Sequence, residues 1–462
     1  MKKQLLSLLI IFILGNSLVF AGGSQPGTGT NTANVPAMTG TIGNNLKYDL
    51  AAPVNNGQNI TIEFWTQNEL ASVHQKLVDE YTKVHPNVKI NLTSASFADL
   101  FQKLAIALQT GTGPDIFHMH NGQDGLIGTY LAPYPEDVLP LAALQADFNQ
   151  VDAHVKNGKL YYIDTGFMTS GIYYNKKMWS EAGLTDTDIP TSWAQLVEVA
   201  KKLTKYDASG NITREGFSVN STANDLLANL SLQDGYFLFD PNGRPLVDND
   251  IWRQNLKFIQ DLYKVYKVSS IQFPACQQAM ANGQSAMIFN WGWVSSWFAN
   301  YHDLDWGYFN VPSKDGKIPP VYNHNNGETT ISVSSTAKKE AQAVGFDILK
   351  YFLCRDDLLL DMNLLVKTVP SKKSLLDNPA IQSNVVLYTQ GKIIDRSLWL
   401  GPLPAPYFNT IKTYAIDSVM LNNANINDAL TETQKILERD FVQAFPDFRS
   451  AERQYIHANE LR

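Results

Sequence analysis

The sequence has few cysteines, few charged residues and no excess of positive charge, and each shortage excludes a class of protein. Only two of the 462 residues are cysteine, Cys276 and Cys354, which excludes a small disulfide-dense fold. We expect both to be buried small apolar residues, although an oxidising compartment would also permit a disulfide between them. Charged residues make up 18% of the chain and hydrophobic residues 44%, which excludes a disordered chain. The formal net charge of −7 argues against nucleic-acid binding.

Long apolar stretches are also missing, apart from the N-terminus. A membrane-spanning helix needs about 20 apolar residues, and no later part of the chain provides them. The apolar run of residues 5–20 follows Lys2 and Lys3 and ends at Ala21, which is typical of a cleavable signal peptide over residues 1–21. No cysteine follows this run to accept a lipid. We therefore predict export to the periplasm or another extracytoplasmic location.

The remaining chain begins with a predicted leader and then alternates between strand and helix patterns. Residues 22–57 are rich in Gly, Thr, Asn and Pro with hardly a charge, which predicts a flexible leader. Residues 60–65 alternate like a strand, and a helical stripe follows in residues 73–84. A second strand, a second helix and a third strand complete a pattern that predicts a parallel sheet. The middle of the chain again alternates between strand and helix patterns, and Ser192 and Gln195 have the spacing of a capping box. The sequence therefore predicts two α/β lobes.

Several blocks of sequence, spread over residues 60–441, carry a family resemblance. They are ITIEFW, VDEYTKVHPNVKI, KLAIALQTGTGPDIF, GKLYYIDTGFMTSGIYYNKKMWSEAGL, IPTSWAQLVEVAKKLT, QQAMANGQSAMIFNWGW, EAQAVGFDILKYFL, VPSKKSLLDNP and NINDALTETQKILERDF. In this order the blocks resemble the extracellular solute-binding proteins of ABC transporters, in the sugar-binding group that includes maltose-binding protein. The resemblance implies a sugar carrier that is not an enzyme and that uses no cofactor.

The resemblance also implies an architecture, the type II periplasmic-binding-protein fold. This is an α/β fold of two lobes, each a sheet flanked by helices, joined by hinge strands. Carried onto this sequence, the predicted boundaries are residues 58–136 with 326–378 for the N-terminal lobe, and residues 137–325 with 379–462 for the C-terminal lobe. Cys354 then falls in the first lobe and Cys276 in the second. In open parallel sheets ligands bind outside the carboxyl ends of strands, so we expect the site there.

Sugar chemistry and the family pattern together select eight candidate ligand-binding residues. Aromatic rings stack on the apolar faces of a sugar, while carboxylates, amides and imidazoles bind its hydroxyls. The candidates are Asn68, Glu69, His120, Asn121, Asn224, Asp225, Trp293 and Tyr407. Trp293 matches a position where the family often supplies a stacking tryptophan, with core packing as the alternative. Tyr407 matches a late helix start where the family often places an aromatic residue, for which Trp399 could substitute.

The polar candidates follow predicted strands or begin predicted helices, so each has a structural alternative. Asn68 and Glu69 match a loop that contributes hydroxyl contacts in the family, but asparagine also caps helices. Asn224 and Asp225 match a second-lobe loop that contacts ligand, and they too could simply begin a helix. Trp291 and Trp297 are more typical of core or lobe surface than of the site.

The loop that contains His120 and Asn121 has two histidines one residue apart, and a metal site is the alternative interpretation. Without nearby acidic or thiol ligands they make a poor metal site, so we predict no metal and favour a sugar contact. The maltose-binding member stacks a tryptophan at this loop, and this sequence has Met119 there instead. The same sugar is therefore not implied.

Rival functions differ in chemistry or in partner. An exported glycosidase needs two carboxylates at a set separation, and no such pair, serine-nucleophile motif or zinc-helix motif stands out. A glycerophosphodiester ligand would require Arg or Lys, which the candidate loops lack; a polyamine, a peptide or a sensory role stays open. We predict a monomer that closes on a soluble carbohydrate and then docks on ABC permease subunits, and that binds no nucleic acid.

Overall fold

A computed structural model describes most of the chain. The described ranges are residues 40–236, 238–240, 242–319, 321–328, 330–401 and 405–444. The predicted signal peptide, residues 1–21, lies outside the described residues. So do residues 22–39 of the predicted leader and residues 445–462 of the predicted C-terminal lobe.

Sixteen strands lie within the described ranges. They are β1 (Thr41–Ile42), β2 (Tyr48–Asp49), β3 (Ile60–Gln67), β4 (Val88–Ala95), β5 (Ile116–Met119), β6 (Val155–Lys156), β7 (Lys159–Leu160), β8 (Gly166–Asn175), β9 (Lys205–Tyr206), β10 (Ile212–Arg214), β11 (Met287–Trp291), β12 (Trp306–Asn310), β13 (Asn323–Glu328), β14 (Thr330–Val333), β15 (Val369–Pro370) and β16 (Ser397–Trp399).

The same ranges contain eighteen α-helical segments. They are α1 (Ala71–Val84), α2 (Phe97–Gln109), α3 (Asp124–Ile127), α4 (Leu141–Asp147), α5 (Lys176–Glu181), α6 (Trp193–Leu203), α7 (Ala223–Gln233), α8 (Asp250–Lys264), α9 (Cys276–Ala281), α10 (Val294–Phe298), α11 (Lys339–Leu353), α12 (Asp356–Val366), α13 (Pro379–Gln382), α14 (Val385–Gly391), α15 (Ala405–Thr410), α16 (Ser418–Met420), α17 (Ile426–Ile436) and α18 (Val442–Ala444). Two π-helical segments, Ile411–Asp417 and Leu437–Phe441, continue α15 and α17. None of the helices described here is long and apolar enough to cross a membrane.

The sheet of the first lobe follows the predicted pattern. Its strand order is β14-β5-β3-β4, with β3 parallel to β4 and β5 and with β14 antiparallel to β5. The predicted alternation of buried and exposed residues in β3 is confirmed, because Ile62 and Phe64 are fully buried while Glu63 is exposed. Helices α1 and α2 are the crossovers between its parallel strands. The predicted parallel sheet is therefore confirmed for these three strands.

The sheet of the second lobe is built around β8 and does not repeat the parallel pattern. Nine of the ten residues of β8 are buried. It pairs antiparallel with β11, β12, β13 and β15, while β13 pairs parallel with β16. The prediction of a second parallel sheet is wrong because these partners return to β8 from distant segments in the opposite direction. The capping box of α6, with Ser192 and Gln195, is confirmed.

Two successive strands connect the two sheets. β13 pairs with β8 in the second lobe, and β14 pairs with β5 in the first lobe. We call β13 and β14 together the crossing strand. Each sheet has its own hydrophobic core, one packed against α1 and α11 and the other against α6, α7 and α8. The two-lobed α/β fold with hinge strands is thus confirmed.

The predicted boundary between the lobes at residue 137 is wrong. Leu144, Phe148, Leu160 and Ile163 belong to the hydrophobic core of the first lobe. The backbone supports this placement, because the Tyr134 N–H donates to the Leu160 carbonyl. The chain enters the second lobe only with β8, since these apolar side chains bury their surface against first-lobe helices.

The predicted flexible leader is wrong for residues 40–57, which are folded against the first lobe. The Asp147 carboxylate accepts hydrogen bonds from Asn45 N, Asn45 Nδ2 and Leu46 N, at 3.1, 2.7 and 2.8 Å. The Tyr48 hydroxyl donates to Asp347 Oδ1 at 2.6 Å, and Leu46 and Tyr48 are buried. Composition misled the prediction because the partners lie far along the chain and cannot be read from a local window.

The two cysteines are buried, as predicted, and both are free thiols. Cys276 lies in the second-lobe core and Cys354 in the first-lobe core, which matches the predicted division between lobes. Burial raises the pKa of the Cys276 thiol to about 11 and that of Cys354 to about 12. Both thiols are therefore protonated and inert at neutral pH.

The fully buried carboxyl of Glu215 makes stability depend on pH. Burial raises its pKa from 4.5 to about 8, although Ser270 N donates to Oε1 at 2.6 Å. The native state holds this proton between those two values, so we expect the free energy of unfolding to fall as pH rises from about 5 to 8. In Glu215→Gln the fall should be smaller by the contribution of Glu215, while the raised pKa of Asp225 still contributes below pH 7, as measured by urea denaturation at both pH values. The exposed Glu432→Gln is the control, and an unchanged slope in Glu215→Gln would contradict the assignment.

Candidate functional site

The carboxyl ends of strands from both sheets meet the crossing strand. In the first lobe, Met119 at the end of β5 pairs with Thr330. In the second lobe, Trp291 at the end of β11 pairs with Ser170 of β8. The register of β8 then places Thr169 opposite Asn325 of the crossing strand. Loops from both lobes therefore begin beside the same strand, where a ligand would contact both sheets.

Asn68 and Glu69 present polar groups from the first lobe. They follow β3 directly and lie in the 3-10 turn Asn68–Leu70, where both are exposed. The residues in the two N-cap positions here are Gln67 and Leu70, so neither candidate occupies a cap. Their side chains are available for hydroxyl groups of a ligand.

His120 and Asn121 follow β5, and the structure separates their environments. His120 is half-buried; its Nδ1 accepts from Gly122 N at 3.0 Å, and its ring lies edge-on to Phe97 at 5.2 Å. Asn121 is fully buried, with Nδ2 3.5 Å from Asp164 Oδ2. Among the described residues, no group of three or more His, Cys, Asp or Glu could hold a metal ion.

Trp293 is the most exposed of the predicted aromatic candidates, with 41% of its surface accessible. It is the N-cap residue of α10 and lies two residues after the end of β11 at Trp291. The Tyr173 hydroxyl bonds to the carbonyls of Trp291 and Gly292 at 3.1 and 3.0 Å. A Cβ at Gly292 would lie 2.6 Å from Gln390 Nε2, so a larger residue would displace this buried side chain. The backbone next to the exposed indole is therefore fixed by the hydrogen bonds from Tyr173.

Asn224 and Asp225 lie in the first turn of α7, behind the N-cap residue Thr222, and both are half-buried. Burial raises the pKa of Asp225 to about 7, and the nearby Trp291 side chain partly opposes this shift. The Asp225 carboxyl therefore holds its proton more tightly than an exposed carboxyl does.

Tyr407 lies in the second-lobe core. Its side chain is fully buried, its hydroxyl donates to the Leu238 carbonyl at 3.1 Å, and its ring centroid is 4.3 Å from that of Phe239. A ring enclosed in this way offers no face to a sugar. The alternative aromatic, Trp399, is also buried, with 5% of its surface accessible.

A buried polar cluster beside the crossing strand was not anticipated from sequence. His154 Nε2 and Asp164 Oδ2 are 2.7 Å apart, and the His154 ring stacks on Tyr162 at 3.9 Å. The other side of His154 meets Trp399 edge-on at 4.6 Å. Because His154 and Asp164 come from the first lobe and Trp399 from the second-lobe sheet, this cluster joins the lobes. Single His and Asp residues in loops carry no pattern that predicts such a pairing.

The sequence profile of bacterial extracellular solute-binding proteins matches residues 65–352, more than half of the chain. The chain belongs to this family. Its members are binding proteins, so the chain is a binding protein rather than an enzyme, as predicted. The family is extracytoplasmic, in agreement with the predicted location.

Individual relatives are distant in sequence and similar in fold. The chain is similar to the arabinooligosaccharide-binding protein of Bacillus subtilis (29% identity over 44% of this chain and 47% of the relative) and to the maltotriose-binding protein of Pyrococcus abyssi (24% identity over 73% and 71%). The match thus spans about half of the Bacillus protein. The maltose/maltodextrin-binding domain of Bdellovibrio bacteriovorus, bound to maltotriose, superposes with a TM-score of 0.65 at 20% identity, covering 83% of this chain and 100% of that domain. That agreement confirms the type II fold.

Proposed function

We propose that this chain binds a soluble, uncharged carbohydrate and delivers it to the permease subunits of an ABC importer. The observation that carries the proposal is the exposed indole of Trp293, which follows β11 close to where strands of both sheets meet the crossing strand. An accessible aromatic ring of this size costs solvation and is typical of a stacking surface. The names of the relatives support a carbohydrate ligand.

The polar candidate residues favour a sugar over a phosphate ester. Asn68, Glu69, His120 and Asn224 offer amide, carboxylate and imidazole atoms to hydroxyl groups. None of these residues is Arg or Lys, the side chains that bind phosphate by charge-assisted hydrogen bonds. A carboxylate such as Glu69 would repel a phosphate. Asn121 and Tyr407 are fully buried, so we propose that neither contacts the ligand directly.

Binding would be coupled to closure of the lobes. A ligand that touches both lobes binds the closed form more tightly than the open one, and so draws the lobes together. A micromolar affinity corresponds to about −8 kcal/mol. Stacking on one or two aromatic rings and several hydroxyl hydrogen bonds, at roughly 1 kcal/mol each, can provide it together with apolar burial.

The remaining parts of the proposal concern export and assembly. We propose that residues 1–21 are a signal peptide removed during export. The carrier would act as a monomer without metal, cofactor or nucleic acid, and its closed form would dock on the permease.

A thermal-shift screen tests the proposed ligand class. Neutral mono- and oligosaccharides are compared with sn-glycerol 3-phosphate and a polyamine. Each compound is added at a concentration well above a micromolar Kd. A ligand at 100 times its Kd stabilises the native state by about 2.7 kcal/mol, so a bound sugar should raise the melting temperature clearly. The expected result is a shift with at least one neutral sugar and none with the phosphate ester. A shift with the phosphate ester alone, or turnover of the oligosaccharide, would contradict the proposal.

A further inference from the structure

A buried glutamine in α14, Gln390, completes the hydrogen bonding of the second-lobe sheet at one position of β8. β8 pairs with β11 at Ser170 and with β15 at Phe167, and Thr169 lies between these two pairings. The Gln390 side chain bonds both backbone groups of Thr169: Oε1 accepts from the N–H at 3.2 Å, and Nε2 donates to the carbonyl at 2.8 Å. The amide of Gln390 thus takes the place of a neighbouring strand at a fully buried residue.

The Gln390 amide is held in one orientation. Its Nε2 also donates to the Tyr308 hydroxyl at 2.9 Å, so both N–H donors and the oxygen of the amide are bonded. The flipped amide is excluded because its nitrogen would then face the Thr169 N–H. Removing this amide would leave two buried backbone groups without a partner, which costs more than the net contribution of the hydrogen bonds.

The same carbonyl of Thr169 fixes the segment that carries Trp293. Gly292 N donates to Thr169 O at 3.2 Å, so this oxygen accepts from both Gly292 and Gln390. Gly292 also lies against the amide itself, because a Cβ at Gly292 would be 2.6 Å from Gln390 Nε2. Trp293 follows Gly292 directly and is the N-cap residue of α10. The contacts of Gln390 therefore determine where the backbone enters this helix.

We propose that Gln390 is a positioning residue that orients the Trp293 indole for sugar binding through Thr169 and Gly292, without touching the sugar. The inference rests on the proposed sugar-binding function. The register of β8 also places Thr169 opposite Asn325, so the Gln390 amide connects the Trp293 segment to the crossing strand. An indole that is oriented before binding loses little conformational freedom when the ligand arrives, so its orientation affects the affinity.

The first test needs no ligand, so it can fail separately from the proposed function. Gln390→Met removes the hydrogen bonds with little change in volume. Hydrogen–deuterium exchange should become about tenfold faster in the peptide that contains Gly292, because the Thr169 carbonyl is no longer held in place; this factor corresponds to about 1.4 kcal/mol. Gln342→Met is the matched control, since this buried glutamine also donates to backbone carbonyls, at 3.0–3.1 Å, but in the first lobe.

The second test is a double-substitution cycle in sugar affinity. Calorimetric titration with the sugar found in the screen should show that Gln390→Met weakens binding about tenfold in the otherwise wild-type protein. In a Trp293→Ala background the same substitution should weaken binding less than about twofold, because the indole that Gln390 positions is absent. Gln342→Met should change the affinity little in either background.

Gln390→Glu provides a rescue at the same position. A protonated carboxyl can accept from Thr169 N and donate to Thr169 O, as the amide does, whereas an ionised carboxylate has no donor. Compared with the wild type at the same pH, the affinity of Gln390→Glu should be near normal at about pH 5 and about tenfold weaker at about pH 9, since burial raises the pKa of a carboxyl. Tyr308 stays neutral over this range because burial raises the pKa of its hydroxyl. If Gln390→Met does not fold, both tests use Gln390→Glu at the higher pH.

Three results would overturn the inference. Unchanged exchange of the Gly292 peptide in Gln390→Met, or an equal increase in Gln342→Met, would show that Gln390 does not hold this segment. An equal loss of affinity with and without the Trp293 indole would show that Gln390 does not act through it. An affinity of Gln390→Glu that follows the wild type at every pH would show that the donor to Thr169 O is not required.

Discussion

Trp293→Ala should weaken sugar binding about 30-fold while leaving the melting temperature of the ligand-free protein nearly unchanged. Stacking on an indole contributes about 0.5–1.5 kcal/mol beyond the apolar area that it buries, and the two terms together give about 2 kcal/mol. The fold should tolerate the change because 41% of the side chain is already exposed. Calorimetric titration measures the affinity, and thermal denaturation without ligand measures the stability.

Trp297→Ala is the matched control for this prediction. Trp297 lies on the same helix, α10, but its ring packs on Phe298 and Tyr301, with the Tyr301 centroid 4.6 Å away. Its loss should cost stability and change the affinity little. If Trp293→Ala kept full affinity, or if it lowered stability more than Trp297→Ala, then Trp293 would be a structural residue.

Gly327→Ala should destabilise the protein by about 1–3 kcal/mol, the cost of inserting a methyl group into a filled, buried site. Gly327 lies in the crossing strand and pairs with Phe167 of β8. A Cβ there would lie 1.8–2.1 Å from the three carboxyl atoms of Asp164, which is itself buried and bonded to His154. The carboxylate would have to move and leave His154 without its partner. Urea denaturation measures the effect.

A double substitution isolates the cause of this loss. In an Asp164→Ala background the carboxyl is gone, so adding Gly327→Ala should cost much less than it does in the wild type. Gly391→Ala is the control, because a Cβ there meets only Val369 at 3.9 Å. Equal costs of Gly327→Ala in both backgrounds would show that Asp164 is not the obstacle.

The order of elements could be predicted from the sequence wherever the pattern is local. The alternation in residues 60–65 and the helical stripe in residues 73–84 correspond to β3 and α1. The capping box at Ser192 was read correctly because its partner is three residues away. Local periodicity does not specify which strands pair, so the antiparallel sheet around β8 was missed.

Features that depend on distant partners could not be predicted. The folding of residues 40–57 depends on Asp147 and Asp347, which are 101 and 299 residues away from Leu46 and Tyr48. Residues after 137 were assigned to the wrong lobe because apolar side chains show that they are buried but not where.

The candidate site was predictable in the same limited way. Trp293 could be identified because the residues around it resemble a family segment, and the structure leaves it exposed. Tyr407 was selected by a similar family resemblance, but it is buried in the core, where its hydroxyl donates to the Leu238 carbonyl. The edge-on contact of Trp291 with His324 joins β11 to β13, so no spacing in the sequence indicates it.

Small-angle scattering with and without the sugar found in the screen tests the central claim, that the two lobes close around a carbohydrate. At saturation the radius of gyration should fall, because contacts from both lobes stabilise the closed form. The Trp293→Ala variant should need a higher sugar concentration to reach the same radius. A radius that stays unchanged at saturating sugar, with binding confirmed by calorimetry on the same sample, would contradict closure around the ligand.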